Sequence, residues 1–311
     1  MIFALRINCK QSHYGKRYLF QSGKKKKQPL RVSVQYIKGS HERKLKFHEC
    51  CSQTALDCQK ALTQDVPTRW NSIYRMLSSA LYYRPALVHL SMSDSNYQSC
   101  PSTDEWDKVE KICDFLKVFY ETNLAFSGFL YPTLNLYFPK LFLIHLKLVK
   151  ELESPDEYMK KIANRRWLKF NKYWSDFNFL LAVAVVFDPH YKYSFLEFSY
   201  AKLYGKDSEQ LVKVKKEFDL FDKTETSSST QQQRELDFYL NEPRAATTSS
   251  ICVLDFWKCQ QYRYPILAKL AMDILCVPIS TLASESAFSL GGRILDQYQS
   301  SMKPSNVETL N

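Results

Sequence analysis

Seven glycines in 311 residues are too few for a turn-rich β-sandwich or barrel, whose many short strands need tight turns at short intervals. Cysteine is present but unorganised. The nine, at 9, 50, 51, 58, 100, 113, 252, 259 and 276, are odd in number and follow no secretory leader, so a disulfide scaffold is excluded and a reducing interior expected. No Cys-x-x-Cys occurs, and Cys9 with His13 supplies at most two ligands, which excludes a zinc finger and leaves no metal site in view. The longest apolar run, FNFLLAVAVVF at 177–187, has eleven residues, well short of the ~18 that a membrane span needs. A soluble chain is expected. One further scarcity matters later: no aspartate occurs before Asp57.

What is present suits helix packing. Hydrophobic residues make up 45% of the chain and aromatics 14%, with 20 Tyr, 20 Phe and 5 Trp, enough to fill a substantial core. The net charge of +11 is uneven. Residues 1–50 hold 13 bases and 2 acids, leaving 30 bases and 30 acids in the rest, so nonspecific phosphate affinity is expected in the N-terminal arm. Within that arm, Lys24, Lys25, Lys26 and Lys27 are a candidate nuclear import signal or phosphate contact; the alternative is a solvated, disordered tail over 1–30.

Helical signals follow. Trp70, Ile73, Tyr74, Leu77 and Leu81 mark one apolar face, with Pro85 near its end. Ser102 and Glu105 have capping-box spacing ahead of a face carrying Trp106, Val109, Cys113, Leu116 and Tyr120. Ser154-Pro155-Asp156-Glu157 predicts another start, with Ser154 as cap and Met159, Ile162, Trp167, Phe170, Tyr173, Trp174 and Phe177 on the buried side. Between 140 and 172, nine bases face four acids, which makes a basic, aromatic-studded region. Either this region follows a nucleic-acid backbone, or its aromatics are core and its lysines solvated. The polar run 222–234 is predicted to be a linker. The segment 235–311 is rich in large apolar residues for its size, and is expected to dock onto the first part or onto another chain.

Two blocks carry a family resemblance: DVPTRWNSIYRML at 65–77 and CVPISTLASESAFSLGGRILDQYQSSMKPSNVETL at 276–310. Both resemble signature blocks of hAT transposases of the RICESLEEPER-like, BED zinc-finger type, and the second is similar to the hAT C-terminal dimerisation region. The text between them, including YPTLNLYFPK at 131–140 and KFNKYWSDFNFLLAVAVVFDPHYK at 169–192, looks like the RNase H-type region of those proteins. The resemblance covers about 31–311. It implies a predominantly α chain, the helical region of an RNase H-like transposase with most of the central sheet missing. The implied divisions are a basic arm at 1–30, an RNase H-type region at 31–221, a linker at 222–234 and a dimerisation region at 235–311.

In that family two aspartates from the sheet and one glutamate from a later helix hold two magnesium ions for in-line phosphoryl displacement. Glu285 matches the glutamate; in the family both aspartates lie well ahead of the TRWNS block, whereas the first aspartate of this sequence is Asp57 and the next is Asp65, within the DVPTRWNS block itself. The expectation is therefore a chain shortened ahead of its catalytic strands and zinc finger, without enzymatic activity or cofactor. Arg69 and Trp70 are candidate DNA contacts, a guanidinium for phosphate and an indole for a base, with Trp70 as core the alternative. Phe238, Leu240, Trp257, Tyr264, Leu267 and Leu270 are candidate dimerisation contacts. The expected role is a nuclear, self-dimerising, modestly and nonspecifically DNA-associated protein, pairing with itself or related hAT proteins. The alternatives are a subunit of an active transposase and a nonfunctional gene product.

Overall fold

Ser102 and Glu105 close the capping box that their spacing predicts: the Glu105 carboxylate accepts from the Ser102 amide at 2.9 Å, and the Ser102 hydroxyl accepts from the Glu105 amide at 3.4 Å. The second start signal works differently. Asp156, not Ser154, takes the amides of Tyr158 and Met159, at 3.0 and 3.3 Å, because its carboxylate stands immediately before the first helical turn. Ser154 instead accepts from the Asp156 amide, and Pro155 lies ahead of the helix rather than at its first position.

The computed structural model describes residues 29–57, 60–66, 71–128, 131–174, 179–205, 212, 216, 230–246 and 251–279. They form twelve principal helices: α1 (Pro29–Lys38), α2 (His41–Gln53), α3 (Asn71–Tyr82), α4 (Arg84–Ser93), α5 (Thr103–Phe126), α6 (Leu134–Leu152), α7 (Glu157–Trp174), α8 (Phe179–Val186), α9 (Lys192–Tyr204), α10 (Thr230–Asn241), α11 (Val253–Gln260) and α12 (Pro265–Leu275). No β-strand occurs among the described residues, so the predominantly α expectation holds. The expected linker at 222–234 is shortened: α10 begins at Thr230, because TQQQRELDFYLN contains neither glycine nor proline and carries Glu235 and Tyr239 on one buried side.

Two compact units divide the chain. The first takes in residues 29–121 and 147–173. In it α1 packs on α2, and α2 and α3 pack on α4, burying Val34, Ile37, Phe47, Met76, Leu77, Leu87 and Leu90. The inward face of α3 is turned slightly from the predicted stripe. Ile73 and Leu77 are buried with Met76 and Ala80, whereas Tyr74 and Leu81 are half-buried, and Tyr74 stacks on Tyr120 with centroids 4.5 Å apart. Trp106, Val109, Cys113 and Leu116 are buried as expected and Tyr120 is half-buried. A bidentate pair between Arg31 and the buried carboxylate of Asp65 fixes the start of the DVPTRW block to α1.

The second unit takes in 122–146 and 174–311, described as far as 279. Its centre is α8, where Leu181, Ala182, Val183, Ala184, Val185 and Val186 are all buried; a helix apolar on every side must be enclosed on every side. α9 and α12 both pack on it. An aromatic cluster of Phe138, Phe142, Trp174, Phe195 and Tyr200 lies beside His145, whose ring meets the edge of Trp174 at 4.9 Å.

Burial pushes the His145 imidazole down from its ordinary 6.5 to about 4, because the charged form loses water. The folded state therefore binds fewer protons than the unfolded state between those values. The contribution is fully present above pH 6.5 and is lost as pH falls toward 4, by up to about 3 kcal/mol. Urea unfolding of wild type and His145→Gln should converge in slope against pH above 6.5 and diverge below, the variant showing the shallower loss. Parallel curves from pH 7 to 4 would contradict a buried, neutral His145.

Candidate functional site

The described part of the segment after residue 230 buries apolar side chains against the rest of its unit, and a set of polar contacts made in that apolar setting fixes its position. The chain leaves α8 through Phe187-Asp188-Pro189-His190-Tyr191, a turn in which the buried Asp188 carboxylate accepts from the His190 amide at 3.0 Å and from Asn135 Nδ2 at 2.7 Å. Three carbonyls freed at this turn, where the helix ladder ends, become acceptors for the later segment. Val186 O takes the Tyr239 hydroxyl at 2.9 Å, Phe187 O the Trp257 indole N–H at 2.7 Å, and Pro189 O the Ala245 amide at 2.9 Å.

Lys192 answers in the opposite direction. Its ammonium, 3% exposed, donates to Tyr239 O at 2.5 Å and Glu242 O at 2.9 Å and lies 4.2 Å over the Tyr239 ring. These carbonyls belong to the C-terminal end of α10, where a cation complements the helix dipole. Burial lowers the Lys192 pKa from its ordinary value, the nearby Glu242 opposing the shift. The backbone at Lys192 has φ 51, a left-handed conformation that costs a non-glycine residue about 1–2 kcal/mol. Glu235 makes a second cap: its carboxylate accepts from the amides of Ile266 and Leu267, at 3.1 and 3.0 Å, at the positive end of α12.

This arrangement decides where the predicted dimerisation residues stand. Trp257, Tyr264 and Leu267 are buried within the chain itself, together with Tyr239, which revises the expectation that they face a partner. The segment hides them by docking on α8 and the 187–192 turn, the first of the two alternatives that its small size left open. Phe238 remains 62% exposed, and Leu240 and Leu270 are half-buried. Tyr262, one of the large apolar residues concentrated in this segment, is 90% exposed, and Ile266, which its sequence context did not single out, adds to the solvent-facing apolar surface. Lys192, Asp188 and Glu235 were also missed. The Asp188-Pro189 pair was a turn signal, but nothing local marks a lysine destined for burial.

The remaining candidates, Lys24, Lys25, Lys26, Lys27, Arg69, Trp70 and Glu285, lie outside the described residues. The two-metal chemistry that the resemblance implies needs clustered carboxylates. Among the described residues no group of three or more His, Cys, Asp or Glu side chains is placed to hold a metal. Asp65 is paired with Arg31, and Asp188 with Asn135 and His190.

Comparison with known proteins agrees with this architecture. Residues 20–115 match the ZBED1 RNase-like helical domain, residues 135–223 the hAT-like transposase RNase-H fold, and residues 235–311 the hAT family C-terminal dimerisation region. Two of these three matches are to regions of hAT-type transposases, one to their RNase-H fold and one to their C-terminal dimerisation region. The chain is similar to the zinc finger BED domain-containing protein RICESLEEPER 2 of Oryza sativa subsp. japonica, 32% identical over 90% of this chain and 46% of that protein. It is also similar to RICESLEEPER 1 of the same plant, at 33% with the same coverage. DAYSLEEPER of Arabidopsis thaliana is 30% identical over 85% of this chain and 42% of that protein. The chain thus spans less than half the length of these relatives.

Lys192→Met keeps most of the side-chain volume but leaves the Tyr239 and Glu242 carbonyls without their donor. Charge-assisted bonds of this kind contribute about 1.5–3 kcal/mol, partly offset by relief of the buried charge, so a loss of about 2 kcal/mol is expected in urea unfolding. A change under about 0.5 kcal/mol would show that the ammonium does not hold α10.

Proposed function

We propose that this chain is a nuclear, DNA-associated, self-associating protein of the hAT transposase type whose 311 residues do not themselves complete a strand-transfer site. Its working divisions are the basic arm at 1–30, the largely helical RNase H-type region at 31–221, a connection from 222, and the dimerisation region at 235–311. The observation that carries the reading is the match of 235–311 to the hAT dimerisation region, on a segment that turns Phe238, Tyr262 and Ile266 to solvent after its core is filled. Aromatic residues are enriched at protein interfaces, and obligate ones commonly bury more than about 2,000 Å² in total. The partner is a second copy or a related hAT protein.

DNA association rests on the charge excess in residues 1–50 and on the family. It is sequence-tolerant and salt-sensitive, since phosphate neutralisation carries it. Catalysis is a separate matter: Glu285 matches the family glutamate, but no aspartate precedes Asp57, and a lone carboxylate does not organise two metals.

Light scattering at micromolar concentration is expected to give twice the 36.5 kDa chain mass. Phe238→Asp with Tyr262→Asp should return a folded monomer, with circular dichroism unchanged. Trp257→Ala should instead unfold the segment, costing about 3–5 kcal/mol as a core truncation. A monomeric wild type would reject self-association. In a second assay, the purified chain with Mg²⁺ or Mn²⁺ should leave transposon-end DNA intact. Nicking that vanishes in Glu285→Gln would establish the alternative, an active transposase subunit.

A further inference from the structure

We propose that the solvent side of α12 is a seam between two copies of this chain that meet antiparallel, Lys269 of each against the partner's Asp273. The inference rests on the self-association proposed above and deepens it, naming the helix, the direction and the partner, a second copy. α12 is apolar on two sides. Leu267, Ala268, Ala271 and Leu275 are buried on the inner one, which packs on α8, α10 and α11. Ile266, Leu270 and Ile274 follow at i, i+4 and i+8 on the outer one, Ile266 exposed and the other two half-buried, and the exposed Val277 extends the row past the helix end. A helix apolar on both sides is suited to cover on both sides. The row begins four residues after Tyr262, so it continues the apolar surface that Tyr262 and Phe238 turn to solvent.

The charges on the same side say what the cover is. α12 carries two, Lys269 and Asp273, both exposed and about 6 Å apart along the axis at 1.5 Å per residue. Among the described residues neither has an ion-pair partner within 4.0 Å. Elsewhere in the segment Arg263 pairs with Glu242, and Lys258 meets Asp255 at 3.4 Å. The order of the two is unfavourable for α12 alone: the base precedes the acid, and Asp273 stands in the last turn, where the helix dipole favours a cation. An antiparallel copy supplies that cation. A twofold axis level with Ala271, midway between the two charges, sets each Lys269 against the partner's Asp273. The same operation brings Leu270 beside the partner's Leu270 and Ile266 beside the partner's Val277. Isologous contacts need a surface complementary to itself, and this helix has one in a single direction only, because a parallel copy stacks like charge on like.

Sedimentation equilibrium of the full chain at about 0.1 M salt, where exposed charges are weakly screened, compares wild type with Lys269→Glu, Asp273→Lys and the exchange K269E/D273K. Each single variant should dimerise at least about tenfold more weakly, because one substitution turns both symmetry-related attractions into repulsions. The exchange should restore wild-type affinity. An equimolar mixture of the two single variants should form a mixed dimer about as tight as wild type, since each then meets its complement. At about 1 M salt the differences should shrink. Both positions are exposed, so circular dichroism should match wild type; if a single variant loses helix, Lys269→Gln and Asp273→Asn replace it, each about threefold weaker as a dimer. A monomeric wild type rejects self-association and this inference with it. A wild-type dimer that neither single variant weakens overturns the inference alone, and assigns the outer row to residues 280–311 or to solvent. So does an exchange variant no tighter than the single ones, or single variants that do not pair with each other.

Discussion

A lysine ammonium held almost out of water is the contact on which the C-terminal half of this chain depends. Lys192 stands in a left-handed backbone conformation beside the turn that ends α8, and it donates to two carbonyls where α10 ends. Burying such a charge is costly unless its donors are satisfied; here two carbonyls and an aromatic face replace water. The same turn supplies carbonyls to Tyr239, Trp257 and Ala245. Apolar burial drives the docking of 235–279, and these directional bonds fix its register, since a shifted α10 or α11 would leave several buried polar groups unmatched.

That docking changes the meaning of the segment's composition. Its aromatics are numerous because two surfaces draw on them: an inner one, with Tyr239, Trp257 and Tyr264 against α8 and its turn, and an outer one, with Phe238 and Tyr262 in solvent. Order within the region before association favours the pairing proposed above, because ordering it at the moment of association would subtract from affinity. The Glu235 cap on α12 contributes to that order by tying α10 to the start of a helix 31 residues further along.

Local rules were legible in the sequence; long-range ones were not. The capping box at Ser102 and Glu105, the helical period around Ile73 and Leu77, and the predominantly α class could be read from spacing because each depends on residues within a turn or two. Asp156 displaced Ser154 as the cap because two adjacent candidates compete, and only backbone geometry at the helix start settles which one reaches the free amides. Lys192 was invisible because its partners lie 47 and 50 residues away, and a lysine is ordinarily a surface residue. Trp257, Tyr264 and Leu267 were correctly read as requiring cover, but composition alone does not say whether the cover comes from the same chain. The family resemblance reached further than spacing did, because it drew on blocks separated by some two hundred residues.

The central claim is that the core of 235–279 is completed inside one chain, and that association uses what is left outside. Amide hydrogen exchange, followed on the intact protein at concentrations above and below self-association, tests this directly. Intrachain docking requires the amides of α11 and α12 to be protected as strongly as those of α8 at both concentrations, with protection changing only around Phe238 and Tyr262. Protection of α11 and α12 that disappears on dilution, while α8 stays protected, would contradict it by showing that a second chain supplies the cover for Trp257 and Leu267.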